Sequence, residues 1–293
     1  MLSILIPTYN YNTFPLVEAL WQQIELEEIP FEIIVLDDGS ATFLEENQLI
    51  NSFENCVFLK NDTNLGRTQT RNILVKEAKY NWLLFLDADV MPVESNFMKK
   101  YIFQTDKKFD AILGGIQYED IVPDFSTILR YKYGRCREEV PAFKRNKNPY
   151  TSILSASLLI KKEAFLTCNY LGEKNYYGMD NYFAYKLYTN SYKVLHIDNP
   201  VYHLGLETNE SFFEKSLRSV NIRKYLLEKF PGIENLNPIL KKYKIIDSLG
   251  LNELVLFGFK KLEPLLRKKI LSKNPSLFCF DLYRLGFMCS LKK

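Results

Sequence analysis

The stretch that most constrains the fold is residues 82–91, WLLFLDADVM, an apolar run that ends in two aspartates one residue apart. An unbroken apolar run of this kind is typical of a central strand that is buried on both faces. If the chain stays extended there, Asp87 and Asp89 lie on the same face of the strand. Two carboxylates at the end of a rigid strand suit Mg²⁺ or Mn²⁺ carrying a phosphorylated ligand. From these residues alone, the alternative is that the two aspartates are merely solvated or cap the next helix.

The elements before this stretch alternate between strands and helices. Residues 2–6, 31–36 and 57–59 are apolar runs, and residues 14–24 and 45–53 have the spacing of amphipathic helices. This β-α-β-α-β order predicts a mostly parallel sheet with helices on both faces and ligands at the carboxyl ends of the strands. The loop around Tyr9, the pair Asp37-Asp38 and the two acids Asp87 and Asp89 all follow such strands. We therefore expect them to meet at one edge of the sheet.

A basic pair lies on the helix predicted over residues 67–79. Arg67 and Arg71 are four residues apart and so share one helix face. Two guanidinium groups on one face can bind the same phosphates or acids. A solvated basic face is the alternative for this pair, and the neighbouring acids favour a binding role.

Four segments, SILIPTYN, EIIVLDDGS, NLGRTQTRN and WLLFLDADV, follow one another in that order between residues 3 and 90. Together they resemble the nucleotide-binding half of a family 2 inverting glycosyltransferase of the GT-A fold. The resemblance implies a mostly parallel, Rossmann-like central sheet with helices on both faces, followed by a C-terminal helical region. It also implies a nucleotide-sugar donor and a divalent metal, Mn²⁺ or Mg²⁺.

The same resemblance assigns roles to single residues. Tyr9 matches the residue that packs on the nucleotide base, and Asp38 matches the acid that binds the base edge. Arg71 falls where the family has a basic residue near the base. Asp87-Ala88-Asp89 matches the metal motif, with Asp87 near the ribose or metal and Asp89 on the metal. Plain loop packing is the alternative for Tyr9. The residues implied for nucleotide-sugar binding are Pro7, Thr8, Tyr9, Asp38, Gly66, Arg67, Arg71, Asp87 and Ala88.

Two further residues take roles from the resemblance. Asp180 stands in the position of the catalytic base, which accepts the proton of the acceptor hydroxyl; a helix N-cap is the alternative for this aspartate. Met179 replaces the glutamate that the family usually has before it. His203, after a strand predicted over residues 192–197, is a candidate third metal ligand beside Asp87 and Asp89, or else a structural histidine. His196, within that strand, is expected to be structural.

The sequence predicts a catalytic domain over residues 1–205, with a nucleotide-sugar half at 1–91 and an acceptor half at 92–205. A helical extension follows at 206–293, with helices over residues 212–230, 237–243, 251–262 and 264–271. Lysines and arginines lie among leucines and phenylalanines in residues 251–271. Such helices either lie on an anionic membrane or pack on the catalytic domain.

Composition excludes several classes of protein. Lysine and arginine number 38 against 35 acidic residues, a net charge of +3 that is too balanced to indicate nucleic-acid binding. The apolar stretch at the N-terminus is too short for a signal peptide or a membrane span, so a cytoplasmic location is expected. The scattered cysteines form no CxxC pair, which argues against a zinc cage or a disulfide framework. They are Cys56, Cys136, Cys168, Cys279 and Cys289.

The resemblance implies an inverting, metal-dependent transfer of a sugar from a nucleotide-sugar donor, a UDP-sugar above all. With the basic C-terminal region, it also suggests a glycan or lipid-linked acceptor in bacterial cell-surface glycan synthesis. A nucleotidyltransferase would need a glycine-rich basic loop after the first strand, and a dehydrogenase would need GxGxxG there. The loop IPTYNYN is neither. A catalytically silent module that binds a nucleotide sugar or a membrane surface is the alternative. The acids at Asp38, Asp87, Asp89 and Asp180 argue against it.

Overall fold

A computed structural model describes residues 1–121, 123–172 and 176–291. The chain forms two compact units. The first comprises Met1–Glu119, Glu138–Asn175 and Lys186–Gly205, and the second comprises Asp120–Arg137, Tyr176–Tyr185 and Leu206–Lys293. The assignment of a catalytic role to residues 1–205 stays a proposal, and the last two residues of the expected extension at 206–293 lie outside the described part of the chain.

The first unit contains two sheets. The larger has seven strands in the order β3-β2-β1-β4-β8-β6-β9, all parallel except β8, and the smaller has the order β5-β10-β7. The strands are β1 (Leu2–Thr8), β2 (Phe31–Asp37), β3 (Cys56–Lys60), β4 (Trp82–Leu86), β5 (Val90–Pro92), β6 (Ala111–Leu113), β7 (Ile116–Gln117), β8 (Ser157–Lys161), β9 (Val194–His196) and β10 (Val201–His203).

The central strands explain why the polar loops meet. Ile4 of β1 lies opposite Ile33 of β2 and Leu84 of β4, and all three side chains are fully buried. Leu5 and Phe85 point to the opposite face and are buried as well, so both faces of this sheet are covered, as the unbroken apolar runs predict. Because β1, β2 and β4 are parallel neighbours, the residues after them lie at one edge of the sheet. The predicted α/β class is confirmed.

Helices follow the strands in the predicted order. Residues 14–24 form a helix with the predicted bounds, and its side chains Leu16, Leu20 and Ile24 are buried. The helices are α1 (Phe14–Ile24), α2 (Leu44–Gln48), α3 (Arg67–Glu77), α4 (Phe97–Ile102), α5 (Ile128–Tyr133), α6 (Ala142–Arg145), α7 (Lys162–Cys168), α8 (Asp180–Thr189), α9 (Asn209–Lys229), α10 (Pro238–Ser248), α11 (Asn252–Ile270) and α12 (Leu277–Ser290).

The second unit is helical and holds α5, the start of α8 and α9–α12. One of its apolar clusters gathers Phe212 and Phe213 of α9 with Phe280 and Tyr283 of α12. The expectation of separate helices over 251–262 and 264–271 is wrong, because α11 runs through Pro264. The proline has no N–H for the carbonyl of Lys260, but both residues are exposed, so water can bind that carbonyl.

Within the described ranges, none of the helices has both the length and the apolar character needed to cross a bilayer.

Candidate active site

The loop after β1 is fastened to the loop after β2. The Asn10 N–H donates to Ser40 Oγ at 2.7 Å, and Asn10 Oδ1 accepts from the Ala41 N–H at 2.9 Å. Pro7 lies within β1, and Thr8, the last residue of that strand, is buried. The side chain of Tyr9 is 53% exposed. The two loops thus form a fixed base from which the ring of Tyr9 presents an open face.

Asp38 organises the loop that precedes α3. Its Oδ1 accepts from the Leu65 N–H at 2.9 Å and from Asn61 Nδ2 at 3.1 Å, and its Oδ2 accepts from the Gly66 N–H at 2.8 Å. Gly66 is the N-cap residue of α3. A carboxylate offers about four lone-pair sites, so these three contacts leave room for one more donor. The binding of a base edge by Asp38 stays a prediction.

Asp87 lies between two arginines of α3. Arg67 Nη2 donates to both carboxylate oxygens at 2.7 and 2.8 Å, and Arg71 Nη2 donates to Oδ1 at 2.9 Å. Arg71 also donates to the carbonyl of Ser155 at 2.9 Å and is buried, so it does not lie on a solvated face. Burial alone would raise the pKa of Asp87, but the charges of Arg67 and Arg71 lower it below its ordinary value. Asp87 is a carboxylate that is already paired.

Asp89 has a different neighbour from Asp87. The strand β4 ends at Leu86, and Ala88 and Asp89 form a turn, so the two acids do not share a strand face as an extended chain would require. Strand β10 pairs with β5 and places His203 opposite Val90. His203 Nε2 lies 3.5 Å from Asp89 Oδ2. Burial raises the pKa of Asp89, as does the charge of Asp87, while His203 opposes both effects.

Asp89 and His203 are the side chains that best fit a divalent cation. Among the residues that the structure describes, no three His, Cys, Asp or Glu side chains are arranged to hold a metal ion. Asp87 binds the arginines, so its predicted role as a ligand stays a prediction. A carboxylate oxygen and an imidazole nitrogen suit Mn²⁺, and the remaining positions suit phosphate oxygens. Of the two ring nitrogens of His203, Nε2 is the one that faces Asp89, and Nδ1 is buried with no hydrogen-bond partner. Nε2 is therefore the nitrogen that could bind the metal.

The profile of the glycosyl transferase family 2 matches residues 3–161, more than half of the chain. This match includes the Tyr9 loop, Asp38, both arginines and both acids of the site. The chain belongs to glycosyl transferase family 2. A relative described as an uncharacterized glycosyltransferase of Haemophilus influenzae is 40% identical over 91 residues, 30% of this chain and 29% of that protein. The chain therefore spans less than a third of the length of this curated relative.

Solved structures share the fold of this family 2 chain. Residues 1–349 of S. aureus TarS, in complex with UDP, give a TM-score of 0.52 at 20% identity, with 97% of this chain and 89% of that chain covered. The mannosyltransferase PcManGT of Pyrobaculum calidifontis, in complex with GDP-Man and Mn²⁺, gives 0.56 at 13% identity, with 98% and 85% covered. These similarities establish that the chain has the GT-A fold.

The candidate base of this family 2 chain lies in the second unit. Asp180 is the first residue of α8 and is exposed, while Met179 before it is buried. Gly178 has a φ of 98°, and a Cβ at this residue would lie 2.6 Å from Ser219 Oγ of α9. This close approach fixes the start of α8 against α9. The role of Asp180 as catalytic base stays a prediction.

Three residues of the candidate site escaped prediction from the sequence. Tyr11 follows β1, and burial together with the charge of Asp89 raises the pKa of its hydroxyl. A Cβ on Gly205 would lie 2.1 Å from Asp89 Oδ2. Ser155 contacts Arg67 and Arg71 because it precedes β8, the antiparallel neighbour of β4. The pairing of β8 with β4 joins residues far apart in the chain, so local patterns carry no sign of it. Of the three, only Tyr11 could have been found from the sequence, because it lies in the same loop as the predicted site residue Tyr9.

Proposed function

We propose that this protein is an inverting, metal-dependent glycosyltransferase that moves a sugar from a nucleotide-sugar donor, a UDP-sugar, to an acceptor hydroxyl. The observation that carries the proposal is the pair of charged clusters after β4. In one, Arg67 and Arg71 hold Asp87, and in the other Asp89 lies beside His203. Membership of family 2 supports the reaction class.

The donor nucleotide would bind at the loops after β1 and β2. The open ring of Tyr9 offers a π face on which a base can stack. Asp38 has one lone-pair site left for a ring N–H of that base. TarS has been solved with UDP and PcManGT with GDP-Man, so a nucleotide and a nucleotide sugar are bound in structures that share this fold.

Departure of the nucleoside diphosphate requires positive charge near its phosphates. Asp89 and His203 would hold Mn²⁺ or Mg²⁺, which when bound supplies much of that charge. Arg67 supplies more, because its side chain stays 45% exposed while it binds Asp87. Because two arginines compensate the negative charge of Asp87, this carboxylate does not repel the diphosphate.

Asp180 would accept the proton of the acceptor hydroxyl as the new glycosidic bond forms. The anomeric carbon is then attacked once, from the side opposite the leaving diphosphate, and its configuration inverts. No covalent sugar-enzyme intermediate is needed.

Replacement of the base tests the mechanism. Asp180→Asn keeps the size of the side chain but replaces one carboxylate oxygen with an amide NH2 group, so it cannot accept the proton. We expect sugar transfer to fall by about 100-fold or more while donor binding stays within twofold of wild type. Asp247→Asn in α10 is the control. Transfer by Asp180→Asn at the wild-type rate would contradict the assignment of the base.

The acceptor we propose is a glycan or lipid-linked glycan of the bacterial cell surface, met at the inner face of the cytoplasmic membrane. Helix α11 supports a contact with that membrane. Phe257 is 60% exposed and Leu265 is 66% exposed, on the helix face that also carries the exposed Lys261 and Lys268. Apolar side chains among lysines suit the interface of an anionic leaflet.

A catalytically silent module that binds nucleotide sugar or membrane is the second candidate. Its support is that Met179 stands where the family usually has a glutamate. Donor binding without turnover, across a broad panel of acceptors and with no hydrolysis of the donor, would favour this candidate over the enzyme.

A further inference from the structure

Arg223 of α9 has an unusual environment in the second unit. Its Nε is buried with no hydrogen-bond partner, and Arg223 makes no hydrogen bond or ion pair with any residue of the described part of the chain. A guanidinium stays charged at any ordinary pH and has five N–H donors. Removing such a group from water without a partner costs free energy. The residue as a whole is half-buried, so its Nη groups stay open to an anionic ligand that would complete the site.

The face of α9 that carries Arg223 also carries the contact with the start of α8. Ser219, four residues before Arg223 and on the same helix face, is the residue against which Gly178 packs. Lys215, a further turn back, has its Nζ 6.0 Å from the ring centroid of Tyr177. The segment Tyr177–Asp180 thus runs along this face, and Arg223 lies on the same face as these contacts.

A second arginine of the same unit lies on α12. Arg284 also has a buried Nε without a hydrogen-bond partner, and its guanidinium carbon lies 4.5 Å from the Phe280 ring and 5.6 Å from the Tyr133 ring. Its carboxylate partner is Asp281, which also binds Arg137 at 2.9 Å. One carboxylate is therefore shared between two arginines.

The electrostatic environment of Arg223 agrees with this geometry. Burial lowers the pKa of Arg223, and the charge of Arg284 lowers it further, while Tyr133, Asp180 and Tyr177 oppose the shift. Arg223 and Arg284 are half-buried. With Arg137, the unit has three guanidinium groups beside two carboxylates, those of Asp180 and Asp281, which leaves an excess of one positive charge. A phosphate accepts hydrogen bonds from a guanidinium in a two-pronged geometry and would neutralise this charge.

We propose that Arg223, supported by Arg284, binds a phosphate or diphosphate group of the acceptor beside Asp180. The inference rests on the proposed function, and it narrows the acceptor to an anionic, phosphate-bearing class. A phosphate group held at Arg223 would fix the acceptor while its hydroxyl reaches the carboxylate that takes the proton.

Binding of inorganic pyrophosphate, measured by calorimetry, tests the site without turnover. The measurement is made on an Arg67→Met background, so that the arginine of the donor site does not contribute. Adding Arg223→Met should weaken pyrophosphate binding at least tenfold, and adding Arg218→Met, an exposed arginine of the same helix, should change it less than twofold. Equal pyrophosphate binding by Arg67→Met with and without Arg223→Met would overturn the proposal. A failure of sugar transfer would count against the proposed function but would not decide whether Arg223 binds phosphate.

Stability gives a second readout. In phosphate-free buffer Arg223→Met should raise the thermal unfolding midpoint, because it removes a half-buried charge whose Nε has no hydrogen-bond partner. A lower midpoint would show that Arg223 serves the fold instead and would overturn the proposal.

Vesicles distinguish the two sources of the phosphate group. Flotation with vesicles that contain phosphatidic acid, reduced by Arg223→Met and by added pyrophosphate, would support the proposal with a lipid headgroup as the source. Arg223-dependent pyrophosphate binding with flotation unchanged would support it with a water-soluble phosphorylated acceptor as the source.

Discussion

The position of Asp89 depends on the absence of a side chain at residue 205. A Cβ on Gly205 would lie 2.1 Å from Asp89 Oδ2, closer than any real contact. Gly205→Ala must therefore displace the carboxylate that we propose holds the metal. We expect metal-dependent nucleotide binding to weaken about tenfold or more, as calorimetry can measure, because metal ligands tolerate little displacement.

The matched control for this prediction is Gly258→Ala in α11. A Cβ at that residue meets nothing within 4 Å, so the same chemical change should leave nucleotide binding as it is. Unaltered binding in Gly205→Ala would mean that the Asp89 carboxylate does not need its present position.

At the scale of elements, strand β9 and helix α6 are joined by a buried histidine–arginine contact. Arg145 Nη1 lies 2.7 Å from His196 Nδ1, and His196 Nε2 lies 2.8 Å from the Pro149 carbonyl oxygen. Because a guanidinium only donates, Nδ1 accepts and Nε2 carries the proton. Burial lowers the pKa of His196 to about 4 from 6.5, although the Pro149 contact raises it and Arg145 lowers it further. The histidine is neutral in the fold.

This contact predicts a dependence of stability on pH. Between pH 6.5 and about 4 the unfolded chain binds a proton at His196 that the folded chain does not, so the free energy of unfolding falls as the pH falls. Over that window the loss from this group is about 3 kcal/mol. Urea unfolding at a series of pH values gives the free energy of unfolding of wild type and of His196→Gln as two curves against pH. The difference between the two curves should change by that amount between pH 6.5 and about 4. Curves that stay parallel would contradict the prediction.

Helix α11 provides a second prediction at this scale. Replacing Phe257 and Leu265 with aspartate should lower flotation with vesicles of anionic phosphatidylglycerol about tenfold or more, because both lose apolar contact and gain repulsion. The control is Leu26→Asp, an equally open leucine, 79% exposed, in the first unit. Equal flotation of the double variant and wild type would remove the support for membrane contact.

Periodicity predicts elements well where packing is local and fails where it is not. The bounds of α1 follow from its own spacing, and the runs before Tyr9, Asp38 and Asp87 identify the sheet edge. The small β5-β10-β7 sheet joins residues 85 or more positions apart, such as Ile116 and Val201, and no local pattern shows it. The burial of Arg145 is hidden for the same reason, since its guanidinium binds the carbonyls of Leu113, Gly114, Val140 and Ile197.

At the scale of the whole molecule, the residues proposed for the chemistry are divided between the two units. The first carries the residues for the nucleotide and the metal, and the second carries Asp180 and Arg223. Family membership and the GT-A fold were predicted from four ordered segments of the first unit. The arginines of the second unit lie on helices whose packing against one another the sequence does not specify, so the Arg223 site emerged only from the structure.

The most direct test of the central claim is a calorimetric titration of UDP and GDP, with Mn²⁺ and with a chelator, on wild type and Asp89→Asn. We predict that UDP binds in the presence of Mn²⁺, that the chelator abolishes this binding, and that the variant weakens it at least tenfold. Binding of neither nucleotide, or binding that ignores both the metal and Asp89, would contradict the account.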